Sequence, residues 1–270
     1  MIITFIIIGF LLLTLMIGKI AIFLKFKKQV RALYANAKDI SDTLFSFGQL
    51  KDLPEPVQRY FKYVLKDGQP YISFIRLTHK GLFKTNPKKK YINITGEQYF
   101  SVQQPQFIWK GTTAMFTAID SYIAGKGSLK VLLLDNFNVV NGKGSSFNEG
   151  ELQRWLAESV WFPTNLLPSE KVQWTAIDEN SAKLSFHYKH ISFYFIVLFN
   201  ALGEITEMET QRFMTEKKRE RWICSMSDYR KVNGLRIPFS AEVTWKLEAG
   251  DFNYAKFNVQ KIEYNIPEKF

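Results

Sequence analysis

The sequence has little of what disulfide-rich and zinc-binding proteins depend on. Its 270 residues contain one cysteine, Cys224, and three histidines. A single cysteine excludes an intramolecular disulfide and any zinc site built from several cysteines. His187 and His190 are three residues apart, which on a strand directs the two rings to opposite faces, so ordinary packing or surface histidines are favoured over a zinc site. We expect no metal and no cofactor.

The common catalytic motifs are missing too. The chain has no G-x-S-x-G elbow and no H-E-x-x-H pair, and the stretch Gly125 to Ser128 lacks the spacing of a phosphate-binding loop. Acidic charge is in deficit, because 36 lysines and arginines face 25 acidic residues. An anionic partner is therefore expected, and the apolar N-terminus favours membrane lipids over nucleic acid.

One long apolar run is present, at the N-terminus. Ile2 to Leu24 contains a single charged residue, Lys19, and a basic cluster follows at Lys25 to Lys28. About 20 apolar residues span a bilayer, and Lys19 lies close enough to the basic end to reach the interface. A cleaved signal peptide is the alternative, but its basic start, shorter apolar run and cleavage site are not evident. We predict an uncleaved single-pass anchor in the cell membrane.

The charges beside this run also predict its orientation. The basic cluster follows the apolar run, whereas no charged side chain precedes it, so the positive-inside rule favours a cytoplasmic location for the rest of the chain. The extracytoplasmic side stays open. We divide the chain into an anchor over residues 1–24, a basic juxtamembrane helix and connector over residues 25–52, and a single domain over residues 53–270.

The pattern of apolar residues predicts that this domain is mostly β. Glu55 to Leu65 has the spacing of an amphipathic helix, but from Tyr71 onwards most segments alternate with a period of two. Short loops with turn signals separate them, which implies antiparallel neighbours. Ser128 to Val140 is interpreted as one strand, and Asp228 to Phe239 as a hairpin whose turn is set by Gly234 and Pro238.

A second helix is predicted to interrupt the strands, capped by Asn148 and ending at Val160. The predicted fold is mainly β (α+β). It is a strongly curved antiparallel sheet or incomplete barrel of about eleven strands with covering helices, preceded by one N-terminal transmembrane helix. By architecture this is similar to the lipoprotein-carrier proteins of bacterial envelopes.

The segment from Arg154 to Pro168 is the most informative in the chain. On a helix, Arg154 and Glu158 are four residues apart and can pair, which is most often an ordinary surface ion pair. The alternative is that they lie at the mouth of an aromatic-lined cavity. Asp120 interrupts an apolar strand face and needs a partner such as Arg154 if it is buried, so a structural pair is favoured over a general base. The candidate ligand-binding residues are Asp120, Tyr122, Arg154, Trp155, Glu158 and Trp161.

Four motifs carry a resemblance to a known family: L-P-E-P-V-Q-R-Y at Leu53, D-S-Y-I-A-G-K-G at Asp120, L-Q-R-W-L-A-E-S-V-W-F-P-T-N-L-L-P at Leu152 and D-Y-R-K-V-N-G-L-R-I-P at Asp228. From about Leu53 to Ile262 the chain resembles an uncharacterised bacterial domain-of-unknown-function family. Asn165 stands where that family more usually has a small residue. The resemblance implies a bacterial protein, often with membrane helices near its N-terminus, and implies no activity.

Three functional hypotheses remain. The first is a non-enzymatic, membrane-anchored module that binds an apolar or amphiphilic, lipid-like ligand in the aromatic concavity. The second is an enzyme of unrecognised class that uses Asp120, Arg154 and Glu158, which requires those groups to lie within hydrogen-bond reach of one substrate. The third is a scaffold for another membrane protein, for which an exposed apolar patch is the expected feature.

Overall fold

The computed structural model describes residues 1–35 and 39–270, apart from the side chains at positions 11 and 12, so residues 36–38 of the predicted connector lie outside the described residues. Within these residues the α-helices are α1 (Ile2–Ala35), α2 (Glu55–Val64) and α3 (Ser145–Ala157). The strands are β1 (Phe74–Phe83), β2 (Ile92–Ser101), β3 (Gln106–Thr112), β4 (Phe116–Ile123), β5 (Lys126–Leu133), β6 (Phe137–Lys143), β7 (Val172–Asp178), β8 (Ser181–Tyr188), β9 (Ile191–Phe199), β10 (Ile205–Phe213), β11 (Arg219–Val232), β12 (Leu235–Leu247) and β13 (Gly250–Tyr264).

All of these strands form one open antiparallel sheet. Its order is β6-β5-β4-β3-β2-β1-β13-β12-β11-β10-β9-β8-β7, so two meanders join where β1 pairs with β13. Helix α3 contacts both β4 and β10, which are seven strands apart in this order. In a flat sheet these strands would be about 34 Å apart, too far for one helix to reach both. The sheet is therefore strongly curved around α3.

The predicted number of strands, about eleven, is wrong, because the sheet has 13. Ser128 to Val140 is two strands joined by a tight turn. Leu134 and Asp135 both have positive φ, 49° and 62°, and the amide of Asn136 donates to the carbonyl of Leu133 over 3.1 Å. This is the geometry of a hairpin turn that usually contains Asn-Gly or Asp-Gly, and the sequence lacks that signal here.

The predicted turn at Pro238 is also wrong. Asn233 and Gly234 form the tight turn, with φ of 49° and 86°, and Pro238 lies inside β12, where it pairs with Tyr229. Asp228 precedes that pair with φ of 57°, and its own pairing with Phe239 is missing from the otherwise continuous ladder. Proline is tolerated in a sheet beside such an irregularity, because a normal ladder hydrogen bond is already lost there.

A single crossover, residues 144–171, carries the chain from β6 at one edge of the sheet to β7 at the other, across the concave face. The predicted cap at Asn148 is wrong, since α3 begins at Ser145, after Gly144 with φ of 113°. Asn148 instead accepts a hydrogen bond from the amide of Gly127 over 2.8 Å. Gly127 has no side chain at a point where the backbone of Phe147 packs directly against the strand. The predicted helix end, Val160, lies in a 3₁₀ turn that follows α3.

Helix α1 is one continuous helix with two different parts. It is long and apolar enough to cross a membrane, by length and composition, a property that signal sequences share. Its last turns are buried against the convex face of the sheet, in a second apolar cluster comprising Phe26, Val30, Leu33, Tyr34, Phe74, Tyr99, Ile108 and Ile119. The same helix that could enter a bilayer is thus part of the folded domain.

A charged cluster on the convex face reinforces this packing. Glu97 pairs with Lys110 at 2.5 Å and with Lys269 at 2.6 Å, and it accepts a hydrogen bond from the Tyr99 hydroxyl at 2.6 Å. The ammonium group of Lys110 lies 4.8 Å from the centre of the Phe26 ring. Burial opposes ionisation of Glu97, but its two lysine partners prevail and lower its pKa. The C-terminal residues therefore help to hold α1 on the sheet.

Candidate functional site

The candidate residues of the crossover meet the sheet through a buried ionic network. Arg154 donates from Nη1 to Asp120 Oδ2 on β4 over 2.6 Å and from Nε to Glu158 Oε1 over 2.9 Å. Gln98 on β2 donates to the other Glu158 oxygen over 2.6 Å. The three ionised side chains are between 11% and 15% exposed, so they lie between α3 and the concave face rather than on the surface.

A second arm of the network reaches the opposite half of the sheet. Arg212 on β10 pairs with Glu151 at 3.1 Å and donates from Nε to the carbonyl of Gly150 over 3.1 Å. Its guanidinium carbon lies 4.7 Å from the centre of the Trp222 ring. Helix α3 is therefore tied by arginine–carboxylate pairs to both halves of the curved sheet.

Glu151 connects the two arms. Burial, followed by the neighbouring Asp120 carboxyl group, raises the pKa of Glu151 well above its ordinary value. When both carboxyl groups are ionised, the oxygens Asp120 Oδ1 and Glu151 Oε2 have no hydrogen-bond partner among the described residues. A proton on Glu151 gives each a partner in the other, and it balances two guanidinium groups against the remaining two carboxylates.

Arg154 is the centre of the network. Burial alone would lower its pKa, but the carboxylates of Glu158 and Asp120 raise it, so the guanidinium stays charged. Its guanidinium carbon lies 5.1 Å from the centre of the Phe107 ring and 4.9 Å from that of Trp109. Aromatic faces of this kind stabilise a buried cation.

His79 lies beside these groups and was not a sequence candidate. It accepts a hydrogen bond at Nε2 from Trp109 Nε1 over 2.7 Å, which places the ring proton on Nδ1. Burial, with a smaller contribution from the Arg154 charge, lowers the pKa of His79 to about 3. The imidazole is therefore a neutral, fixed part of the site.

The aromatic candidates fill the concavity. Tyr122 and Trp155 are 0% and 1% exposed, and the Trp155 ring packs 6.2 Å from Phe162 and 5.9 Å from Phe186, measured between ring centres. Trp161 donates from Nε1 to the carbonyl of Pro238 over 3.1 Å. Side chains of the crossover thus occupy the space that the curved sheet encloses.

Several buried polar atoms of this region have no hydrogen-bond partner among the described residues. Beyond the carboxyl oxygens already named, they are His79 Nδ1, Gln153 Oε1, Trp155 Nε1 and the Tyr60 hydroxyl. A buried polar atom without a partner costs about 1–3 kcal/mol, so several in one region need an explanation.

The structure brings Asp120, Arg154 and Glu158 together within hydrogen-bond distance, with Tyr122 and Trp155 packed nearby. Sequence reasoning missed Arg212, His79 and Glu151. For Arg212 and His79, the alternation of inward and outward residues along the strands was a usable signal. His79 continues the inward face of Ile75 and Leu77, and Arg212 continues that of Met208 and Thr210.

In the described residues, no group of three or more His, Cys, Asp or Glu side chains is arranged to hold a metal ion.

One known protein family matches most of the chain. Residues 43–257 match a family of unknown function, DUF6544. The chain belongs to this family. The DUF6544 match includes α2, the whole crossover and every residue of the ionic network. The match begins after α1 and so does not include the apolar helix. No curated protein matches the chain.

Two solved structures are distantly similar to this DUF6544 protein. One is a LolA superfamily protein from Nitrosomonas europaea, with 9% identity and a TM-score of 0.45 over 77% of this chain and 91% of that one. The other is a putative outer membrane lipoprotein-sorting protein domain from Vibrio parahaemolyticus, with 11% identity and a TM-score of 0.43 over 71% of this chain and 85% of that one. Likenesses this distant carry no argument about function.

Proposed function

We propose that this protein is a membrane-anchored, non-enzymatic module that binds an amphiphilic, lipid-like ligand between the crossover and the concave face of the sheet. One observation carries the proposal: two arginines and three carboxyl groups are buried where α3 meets an aromatic concave face. The aromatic surface suits an acyl chain, and the charged groups suit a polar head.

The ionic contacts also make α3 suitable as a lid. Replacing buried ion pairs by well-packed apolar residues is often neutral or stabilising, so such pairs are a weak means of holding a helix in place. These pairs join α3 to both halves of the sheet, through Arg154 and Arg212, beside the apolar packing of Leu152, Trp155 and Leu156. Binding would displace part of the crossover, and the ligand head would take over pairing with these charges.

The unpartnered polar atoms support the same interpretation. Trp155 Nε1 and Gln153 Oε1 lie on α3, and His79 Nδ1 belongs to a buried side chain of β1. Without a ligand, each of these unpartnered atoms lowers the stability of the folded protein. A ligand that carries hydroxyl or carbonyl groups would provide the missing hydrogen-bond partners. Sites that bind ligands commonly retain such groups at the expense of stability.

Anchoring is the second half of the proposal. Residues Ile2 to Leu24 of α1 are long enough to cross the hydrocarbon layer, and the same helix packs on the sheet through Phe26 and Val30. The domain would therefore sit directly on the bilayer, with no flexible linker at this junction. The positive-inside rule favours the cytoplasmic face.

Binding of a dansyl-labelled fatty acid to the full chain in detergent tests the ligand site. We expect saturable binding that is strongly weakened in the triple variant Asp120→Leu, Arg154→Met, Glu158→Leu, because apolar replacements keep the fold while removing Arg154 and both of its carboxylate partners, which leaves only the Arg212–Glu151 pair. Near-ultraviolet circular dichroism checks that the variant is folded.

The matched control is Glu209→Leu with Arg221→Met, which removes an exposed ion pair of 2.7 Å between β10 and β11. Its binding should equal that of the unaltered chain. Equal binding by the triple variant and the control would contradict a site at the network.

A second candidate, an enzyme, is favoured by the convergence of Asp120, Arg154 and Glu158 and by the raised pKa of Glu151, because perturbed carboxyl groups cluster at active sites. The two candidates differ in what happens to the ligand. Mass spectrometry of the bound fatty acid or phospholipid after incubation should show an unchanged mass for a binding module and a changed mass for an enzyme.

A further inference from the structure

A cleft separates α1 from the convex face of the sheet, on the side opposite the ionic network. It has a volume of about 220 Å³ and is lined on the helix by Ile22 and Lys25 and on the sheet by Lys130, Leu132 and Lys143. Ile22 and Lys25 are one helical turn apart, on one face of α1. The cleft thus has an apolar wall and three ammonium groups.

The strand register explains why these groups meet. Across the convex face, Lys130 of β5 lies between Ile119 of β4 and Asn141 of β6, and the neighbouring row contains Ser128 and Lys143. The rows therefore set Lys130 and Lys143 beside each other on adjacent strands, and α1 adds Lys25 from above.

The charge of the cleft is unbalanced. Within the part of the chain that the structure describes, no carboxylate lines it, and none lies within 4.0 Å of the ammonium groups of Lys25, Lys130 or Lys143. Three like charges in one cleft repel each other, so an anion bound among them would be stabilised. Hydroxyl groups of Ser121 and Ser128, 3.0 Å apart, add neutral donors beside the lysines.

The position of the cleft along α1 suggests the source of the anion. Ile22 and Lys25 flank Leu24, where the apolar run gives way to the basic cluster. Asn136, in the β5–β6 turn, packs against Gly18, which has no side chain to prevent the approach. With a rise of about 1.5 Å per residue, Lys25 lies about 10 Å along the helix from Gly18, so its long side chain can reach the headgroup layer if the hydrocarbon layer ends near Lys19.

The rim of the sheet beside Gly18 is apolar as well. Met115, Leu134 and Phe137 are 63%, 44% and 61% exposed at the β3–β4 and β5–β6 turns. Exposed apolar side chains that continue the surface of a membrane helix are suited to contact lipid. They place the bilayer on this end of the sheet, next to the cleft.

We propose that this cleft binds the phosphate group of an anionic phospholipid. The ammonium groups of Lys25, Lys130 and Lys143 would contact the phosphate. Ile22 and Leu132 would pack against the first acyl carbons. The site is distinct from the concave face, but it rests on the anchoring half of the proposed function. A phosphate in the cleft would fix the angle between α1 and the sheet.

Native mass spectrometry of the full chain, released from detergent micelles that contain phosphatidylglycerol or phosphatidylcholine, tests the site. We expect retention of phosphatidylglycerol in preference to phosphatidylcholine. Changing Lys25, Lys130 and Lys143 together to glutamine should weaken that retention at least about tenfold, because each basic group contributes measurably to anionic lipid binding. Asn141→Trp, which fills the cleft without changing charge, should have the same effect.

The matched control changes Lys62, Lys66 and Lys231 to glutamine, three exposed lysines near the β11–β12 turn at the opposite end of the sheet. It should retain phosphatidylglycerol fully. Equal retention by the cleft variants would overturn the proposal. Displacement of the lipid by equimolar inorganic phosphate would also overturn it, by identifying a site for the free anion.

The same spectra separate failure of this site from failure of the proposed function. An intact mass that lacks α1 would show that the helix is removed, which overturns anchoring and the cleft together. An intact mass with no lipid preference overturns the cleft alone. Binding of the dansyl-labelled fatty acid reports on the concave face and should not change in the cleft variants.

Discussion

Arg154 on the crossover helix and Asp120 on β4 are joined by a hydrogen-bonded ion pair of 2.6 Å, with both side chains largely excluded from solvent. The pair connects the one segment that crosses the sheet to the concave face beneath it. Arg154 also pairs with Glu158, which accepts a hydrogen bond from Gln98 on β2, so one guanidinium links α3 to two strands of the concave face.

Loss of this guanidinium should destabilise the fold strongly. Arg154→Ala leaves Asp120 and Glu158 buried without their cation, and breaking a buried pair in this way typically costs about 3–5 kcal/mol. The measurement is the free energy of unfolding of the full chain by urea in detergent micelles. Arg221→Ala removes the exposed pair with Glu209 and should change that free energy by less than about 1 kcal/mol. Similar losses in both variants would contradict the assigned burial.

Glu151 should make the protein less stable as the pH rises. Its pKa is raised in the folded state by burial and by Asp120, so the folded protein holds this proton more tightly than the unfolded chain. The resulting stability is fully present below the ordinary glutamate pKa of about 4.5 and is lost as the pH rises through the raised value.

Glu151→Gln cannot ionise and should remove this loss. The measurement is the difference in unfolding free energy between the variant and the unaltered chain as a function of pH. Glu55→Gln is the matched control, because Glu55 pairs with Arg59 while 71% of its side chain is exposed. A flat difference for Glu151→Gln would show that the carboxyl does not hold its proton in the folded state.

His79 should remain neutral under mildly acidic conditions. Its pKa is lowered to about 3 by burial and by Arg154, against 6.5 in an unfolded chain. The stability that this provides is present above the unfolded value and is lost as the pH falls through about 3. Nitrogen chemical shifts of the imidazole should show the neutral ring with its proton on Nδ1 at pH 5, whereas the exposed His187 and His190 serve as references in the same spectrum. A titration midpoint near 6.5 would contradict the buried placement.

Cys224 offers a test of the side of the membrane. It is buried, and burial, with a smaller effect of Glu158, raises the pKa of its thiol, so it should not react with a maleimide in the folded protein. An added cysteine at the exposed Glu179 is then the single reactive thiol. An impermeant maleimide should label Glu179→Cys only after intact cells are lysed, as a cytoplasmic domain requires. Labelling in intact cells would contradict that orientation, and labelling of the parent chain would contradict the burial of Cys224.

The sequence predicted what local patterns encode. Period-two alternation identified the strand regions, and helix α2 was expected to end only one residue beyond Val64. The pairing of Arg154 with Asp120 was anticipated because an inward carboxylate needs a partner. For these features, the local sequence pattern is enough to indicate which side chains point inward and which point outward.

Features that depend on distant parts of the chain were missed. The pairing of β1 with β13 joins residues almost 190 positions apart, as in Ile75 with Tyr264, and no local signal specifies it. The turn at Leu134 and Asp135 was missed because neither residue with positive φ is a glycine, so the usual sequence signal of this hairpin turn is absent. Arg212 escaped notice because its partner, Glu151, is on a different element.

The most direct test of the central claim is to identify any amphiphile that stays bound when the protein is purified from the membrane. The full chain, purified in mild detergent and extracted with organic solvent, should yield an amphiphile in near-equimolar amount by mass spectrometry. The apolar triple variant at Asp120, Arg154 and Glu158 should yield far less, while the Glu209 and Arg221 control should match the unaltered chain. An unaltered chain that carries no amphiphile and binds none on addition would contradict the account.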